Sequence, residues 1–101
     1  MGIEENSNYS DTNSSLYKTK RVTVGTSETE AKVGATRESD RQFVRVYNDS
    51  NSIVYFGEEG TSTTDKEPLE KKQSVTIAVT DIAVMLQVDT GTADVIITEI
   101  G

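Results

Sequence analysis

The last 28 residues of the chain, 74–101, are its most apolar stretch and alternate with a period of two (SVTIAVTDIAVMLQVDTGTADVIITEIG). Successive side chains of a β-strand point to opposite faces, so apolar residues at every second position predict one buried face. Two groups of turn residues, Thr80-Asp81 and Asp89-Thr90-Gly91, divide the stretch. It therefore predicts three β-strands joined by two tight turns. The alternating positions are Val75, Ile77 and Val79, then Ile82, Val84, Leu86 and Val88, then Ala93, Val95 and Ile97.

Shorter alternating runs occur upstream of this stretch. Residues 22–24 and 31–33 each predict a short strand, and residues 41–47 predict a longer one. Residues 53–57 are β-branched and aromatic, and a dense group of Asn, Asp and Ser at 48–52 precedes them. Two strands flanking such a group predict a β-hairpin.

The segment 58–73 is polar except for Pro68 and Leu69. We interpret it as a long connection that crosses between two sheets, with Leu69 held in the core. About seven short strands with regular turn signals and no helical period indicate an all-β protein. We predict a small antiparallel β-sandwich, of jelly-roll or Ig-like type, over residues 21–101.

Residues 1–20 are rich in Ser, Asn, Thr, Asp and Glu and form an extended N-terminal arm in this interpretation. Ordering a chain costs about 1–2 kcal/mol per residue, and this segment has little apolar surface to offset that cost. The arm is either a flexible tail or becomes ordered by lying across a neighbouring subunit. In the second case Tyr9, Leu16 and Tyr17 are the expected anchors.

The composition argues against several classes of function. A formal charge of −7, from 10 Lys and Arg against 17 Asp and Glu, would repel the phosphate backbone of nucleic acid. The chain has no Cys and no His, which removes disulfides, thiolate chemistry, the commonest general base and the commonest zinc ligand. No run has the length of a membrane span or the character of a signal peptide. We expect a soluble protein without a cofactor, a metal, a nucleic-acid partner or a membrane.

The triad Asp89-Thr90-Gly91 matches one catalytic motif. In aspartic proteases this triad follows an apolar strand, and two such aspartates share a proton to activate water. The segment LQVDTGTADVII resembles that of retroviral proteases, but those enzymes carry the triad early and only ten residues follow Gly91 here. A turn between two strands explains the triad, and we expect no enzymatic activity. The protease remains the alternative from the enzyme class.

Apolar residues also occupy the second face of the last strands. Ile96 and Ile100 fall opposite Val95 and Ile97, and Met85 does the same in the strand before. A sheet with one face in water should be polar there. We expect a subunit contact through Met85, Ile96 and Ile100, and a homo-oligomer.

Three stretches carry a family resemblance: VTVGTSETEAKVGATRESDRQFVRVYNDSNSIVYFG, TSTTDKEPLEKKQSVTI and TADVIITEIG. Their order resembles small β-sandwich virion proteins of tailed bacteriophages and the corresponding modules of head-associated and fibre proteins. The resemblance covers about residues 21–101. Where a Pro/Gly turn is expected after Pro68-Leu69, this chain has Glu-Lys-Lys-Gln.

The resemblance implies a structural role on a phage particle after synthesis in the host cytoplasm. The protein would decorate or cement the capsid or be head-associated, with the major capsid protein as partner. A neck, tail or fibre position is the alternative within this class. An Ig-like adhesion or carbohydrate-binding module is the alternative from another class.

Overall fold

The computed structural model describes residues 16–101, so residues 1–15, including Tyr9, lie outside the described part. Alternation of apolar and polar residues produces strands throughout, and a single 3-10 turn at Thr63–Asp65 is the sole helical element of residues 16–101. The strands are β1 Tyr17–Val24, β2 Thr29–Glu30, β3 Phe43–Asn48, β4 Val54–Gly57, β5 Glu67–Leu69, β6 Ser74–Ile77, β7 Met85–Gln87 and β8 Ala93–Ile100.

The eight strands form two four-stranded antiparallel sheets. The first sheet has the order β1-β8-β3-β6 and the second has the order β2-β7-β4-β5. The chain passes from one sheet to the other at every connection except the one between β4 and β5, which are neighbours in the second sheet. Two sheets of four strands connected in this way are a jelly roll. The predicted all-β sandwich is confirmed, and of its two variants the connectivity selects the jelly roll over the Ig-like fold.

The predicted hairpins are wrong, although the predicted turns exist. Residues 49–53 lead from β3 in the first sheet to β4 in the second, and residues 88–92 lead from β7 in the second sheet to β8 in the first. Gly91 has a φ of 69°, as a tight turn requires. Residues 74–101 are likewise divided between the two sheets and do not form a three-stranded meander. A period of two shows only that one face of a strand is buried, and this holds whether the next strand pairs beside it or crosses to the facing sheet.

The core lies between the inner faces of the two sheets. Val95 and Ile97 of β8 project from the first sheet and Leu86 of β7 projects from the second, and all three are fully buried. Leu69 is 5% exposed, which confirms its predicted place in the core. The predicted long connection at 58–73 is wrong, because β5 lies within it and pairs with β4. The remaining buried apolar residues of the core are Val24, Ala31, Val44, Val46, Val54, Val84, Val88 and Ala93.

Several element boundaries differ from the prediction. β1 begins at Tyr17, so the predicted domain start at residue 21 is four residues late. The predicted strand at 31–33 is replaced by the two-residue β2 just before it, and the Ala31 N–H donates to the Val84 carbonyl at 2.8 Å. The predicted strand at 82–88 shortens to β7, and Ile82 is 66% exposed. β2 lies at the edge of its sheet and pairs through two residues only, which a local pattern does not reveal.

Asn48 holds the connection between β3 and β4. Its side chain is fully buried, and its Nδ2 donates to the carbonyl oxygens of Ser52 at 2.7 Å and Leu69 at 2.9 Å. Its Oδ1 accepts from the Ser50 hydroxyl at 2.6 Å. The cluster of turn residues after β3 therefore closes on Asn48 and passes to the second sheet with its backbone oxygens satisfied.

A buried ion pair joins Arg41, which lies just before β3, to Glu99 in β8. Glu99 continues the inward alternation of Val95 and Ile97 and therefore points into the core, where Arg41 Nη1 donates to its Oε2 at 2.9 Å. Neither side chain is exposed. The other oxygen of the Glu99 carboxylate accepts from the Val33 N–H at 3.0 Å.

The remaining donors of Arg41 reach three backbone carbonyls. Nη1 donates to Ala31 at 3.0 Å, Nε to Thr80 at 3.1 Å and Nη2 to Ile82 at 3.0 Å. These carbonyls belong to the connections between β2 and β3 and between β6 and β7. One side chain therefore ties two sheet-changing connections to β8.

We expect Arg41→Met to lower the free energy of unfolding by about 3–5 kcal/mol, because it leaves the Glu99 carboxylate buried without its partner. Urea unfolding followed by tyrosine fluorescence measures the loss. The matched control is Arg45→Met, at a half-exposed arginine without an ion pair in residues 16–101, where a change of about 0.5 kcal/mol or less is expected. Equal stability of the two variants would contradict a structural role for the buried pair.

Candidate interaction surface

The outer face of the first sheet is its surface turned away from the core. Val44 and Val46 point inward from β3, so Phe43, Arg45 and Tyr47 point outward. The strand register sets these residues in rows across β1, β8 and β3. The rows are Tyr17, Ile100 and Phe43, then Thr19, Thr98 and Arg45, then Arg21, Ile96 and Tyr47.

The large apolar residues of the outer face lie in the first and third rows. Tyr17 is 72% exposed and Phe43 is 39% exposed, and Ile100 lies between them. Ile96 and Tyr47 in the third row are partly exposed. A sheet that faces water on one side normally alternates apolar inward with polar outward. Exposed apolar side chains grouped beside polar ones on an outer face are typical of a protein interaction site.

Charged groups are placed between and beside the apolar rows. The guanidinium group of Arg45 lies in the middle row and forms no ion pair within the described residues. Arg21 reaches across β8 from β1 and contacts Asp49, just after β3, at 2.8 Å. Lys72 contacts the same carboxylate at 2.9 Å. The hydrogen bond from Lys72, and next that from Arg21, lowers the pKa of Asp49 below its ordinary value.

Three of the predicted contact residues meet on this face: Tyr17, Ile96 and Ile100. Leu16 lies at the corner of the sheet and, as the neighbour of Tyr17, falls on the side turned away from the outer face. Its carbonyl accepts from the Gly101 N–H at 3.0 Å and extends the ladder of β1 with β8 by one bond. A Cβ on Gly101 would come within 2.9 Å of the Leu16 Cβ, so this corner is closely packed.

The structure does not bring Met85 to this surface. Met85 belongs to β7 in the second sheet, pairs with Gly57 and Glu30, and is only 9% exposed. The predicted contact that joined Met85 with Ile96 and Ile100 assumed that β7 and β8 share a sheet. They lie in facing sheets, so their outer residues point in opposite directions.

Sequence reasoning did not select Phe43, Arg45 and Tyr47 as contact residues. The available signal was the same one that marked Ile96 and Ile100, namely large side chains opposite the buried Val44 and Val46. What the sequence lacked was the pairing of β3 with β8, which places these three residues beside Ile96 and Ile100.

Asp89 of the Asp-Thr-Gly triad lies on the exposed turn between β7 and β8. Its Oδ1 accepts from the Thr63 hydroxyl at 2.5 Å, and it lines a shallow depression of about 260 Å³ with Tyr55 and Ile53. Partial burial raises the pKa of Tyr55, and the Asp89 carboxylate adds to the shift. The triad therefore fulfils the requirements of a turn, with its aspartate engaged by a neighbouring hydroxyl.

Within residues 16–101, no group of three or more acidic, His or Cys side chains is arranged to hold a metal ion, and no helix is long and apolar enough to cross a membrane. Comparison of the chain with models of protein families, with curated proteins and with solved structures gives no match.

We expect Asp49→Asn to lower stability at neutral pH, since the lowered pKa of Asp49 means that its ionised form stabilises the fold. That contribution is complete above the ordinary carboxyl pKa of about 4 and is lost as the pH falls through the lowered value. The stability gap between wild type and variant should therefore close on acidification. Urea unfolding midpoints between neutral pH and about pH 2 measure it.

The matched control is Asp40→Asn, at an exposed aspartate that forms no ion pair in the described part of the chain. Its gap to wild type should be small and should not close in the same way. A constant gap for Asp49→Asn across the acid range would contradict the role assigned to the contacts of Lys72 and Arg21.

Proposed function

We propose that this chain is a non-enzymatic structural protein of a bacteriophage virion that binds neighbouring virion subunits through the outer face of its first sheet. The observation that carries the proposal is the row formed by Tyr17, Ile100 and Phe43, where two exposed aromatic side chains flank Ile100. A stable domain has no internal need for such a row. Its presence is explained by a partner that covers it.

The outer face has the composition of a binding site. Interfaces are enriched in aromatic residues and arginine and are depleted in lysine and acidic residues at their centres. Tyr17, Phe43 and Tyr47 supply the aromatic groups, and Arg45 supplies a cation at the centre of the face. A partner surface that offers apolar groups for the rows and a carboxylate for Arg45 fits this arrangement.

The fold agrees with the proposed role and does not decide it. Jelly rolls occur in viral capsid proteins, in lectin domains and in cupins, so function has to be argued from the site. The virion assignment rests on the resemblance of residues 21–101 to small phage virion proteins. Within it we propose capsid decoration or a head-associated position with the major capsid protein as partner, and neck, tail or fibre positions as alternatives.

A carbohydrate-binding module is the second candidate. Exposed aromatic rings can stack on sugars, and Tyr17 and Phe43 are exposed in one row. An array of glycans probed with the purified protein separates the two candidates. Binding to a glycan that is lost in Phe43→Ser would favour the module over the virion protein.

The test supplies the chain in trans in infected host cells and purifies the phage particles on a density gradient. We expect the chain to be present in these particles. The Phe43→Ser variant should be incorporated at least about tenfold less, since it removes a central aromatic group of the contact. Quantitative mass spectrometry of the purified particles measures incorporation.

The matched control is Ile53→Ser, because Ile53 is 37% exposed against 39% for Phe43 and lies outside the outer face. It should be incorporated like wild type. Absence of the wild-type chain from the particles, or equal incorporation of both variants, would contradict the proposal.

A further inference from the structure

Within residues 16–101, no strand pairs with either outer strand of the first sheet, whereas the edges of the second sheet are protected. The second sheet ends in β2, which has only two residues, and in β5, which contains Pro68 and so lacks one backbone N–H. Short edges and edge prolines are the usual means of preventing strand addition. The first sheet ends in the eight-residue β1 and in β6, and neither contains a proline.

Some backbone N–H and carbonyl groups of β6 point away from β3, the strand with which it pairs. The Asn48 N–H donates to the Gln73 carbonyl at 2.9 Å, and the register continues this ladder through β3 and β6. Hydrogen-bonded positions alternate along an antiparallel strand. Val75 therefore bonds to β3, while the N–H and carbonyl groups of Ser74 and Thr76 point to the free edge.

An apolar cleft of about 560 Å³ lies beside this free edge, between β6 of the first sheet and β4 and β5 of the second. Its apolar lining includes Phe56, Ile77 and Ile82. Glu58 and Glu67 also line it, and neither carboxylate forms an ion pair within the described residues. Glu67 shares the inward side of β5 with the buried Leu69, so its carboxylate is turned towards the cleft.

The opposite edge of the sheet has the complementary charge. In β1, Lys18 and Lys20 lie on the same side of the strand as Val22, whose partner Val95 is buried in the core. Both lysines therefore lie on the inner side of the strand, at its exposed edge. Lys18 contacts Glu38 at 2.8 Å, and Lys20 forms no ion pair among residues 16–101.

We propose that copies of this chain associate head to tail, with β1 of one copy added beside β6 of the next, and with Lys20 directed at Glu58 and Glu67 over the cleft. The topology supplies the strand direction. β1, β8, β3 and β6 are successively antiparallel, so β1 and β6 run in opposite directions. A second copy in the same orientation therefore places its β1 antiparallel to β6. The inner side of that β1 then continues the inner face of the first sheet.

The chemistry of the cleft fits a lysine from this strand. The aliphatic stem of Lys20 covers apolar surface around Ile77 while its ammonium group reaches the two carboxylates. Pairing of β1 with β1 of another copy would instead set Lys18, Lys20 and Arg21 against the same three residues of that copy, and their like charges would repel. The charges therefore favour the head-to-tail arrangement, which is heterologous and builds a ring or a filament. This inference does not depend on the outer face or on the virion assignment.

Sedimentation velocity of the full chain over a wide range of concentration tests the proposal. Wild type should associate, and Lys20→Glu and Glu67→Lys should each weaken association about tenfold, because each sets like charges together. The double variant Lys20→Glu with Glu67→Lys should return to within about threefold of wild type. Added salt should weaken the wild-type association.

Two controls match the charge reversals. Lys71→Glu and Glu70→Lys change the same charges at exposed residues of the turn before β6, outside the cleft, and both should associate like wild type. A wild-type chain that stays monomeric at every concentration would overturn the proposal. So would Lys20→Glu that associates like Lys71→Glu, or a double variant no better than the single ones.

Thr76→Pro tests the backbone pairing separately from the charges. It removes an N–H that points to the free edge and leaves the bonds between β3 and β6 intact, so association should be lost while the far-ultraviolet circular dichroism stays that of wild type. Undiminished association of a folded Thr76→Pro protein would overturn strand addition at β6. If this variant does not fold, the charge reversals at exposed residues decide the question.

Discussion

The buried contact of Arg41 with Glu99 is the interaction on which the connections of this jelly roll depend. The long connections between β2 and β3 and between β6 and β7 cross from one sheet to the other without a ladder of their own. Arg41 binds carbonyl groups of both connections and the carboxylate of Glu99 in β8. A charged pair taken out of water is stabilising only when its hydrogen bonds are satisfied, so the surrounding backbone is held in one arrangement.

The two sheets have different surfaces because their edges and outer faces differ. In the second sheet, Pro68 and the two-residue β2 protect the edges, and Met85 on its outer side is nearly buried. In the first sheet, β1 and β6 have no further strand beside them in the described part of the chain, and the outer face exposes Tyr17 and Phe43. The outer face and both edges that we propose for assembly belong to the first sheet, while the second sheet contributes Glu58 and Glu67 beside the cleft.

Part of the candidate surface could be predicted from the sequence. Tyr17 was identifiable because it is one of the few large apolar residues among residues 1–20, and Ile96 and Ile100 because they are large apolar residues outside the inward alternation of their strand. Phe43 has the same property, but its importance comes from Ile100, which pairs with it across 57 positions of the chain. Met85 was assigned to the surface through an assumed hairpin, and the crossing between β7 and β8 removes it.

The sequence by itself determined that this chain forms short strands, which side chains of each strand are buried, and where turns interrupt the strands. These properties depend on the alternation of neighbouring side chains and on the conformations of Gly, Asn, Asp and Ser, which are local. Only the tertiary structure decided which strands are neighbours, that consecutive strands other than β4 and β5 lie in facing sheets, and that Lys20 and Glu67 occupy opposite edges of the sandwich. Strand pairing is made by backbone groups that every residue except proline carries alike, so the chain's local pattern does not distinguish one partner from another.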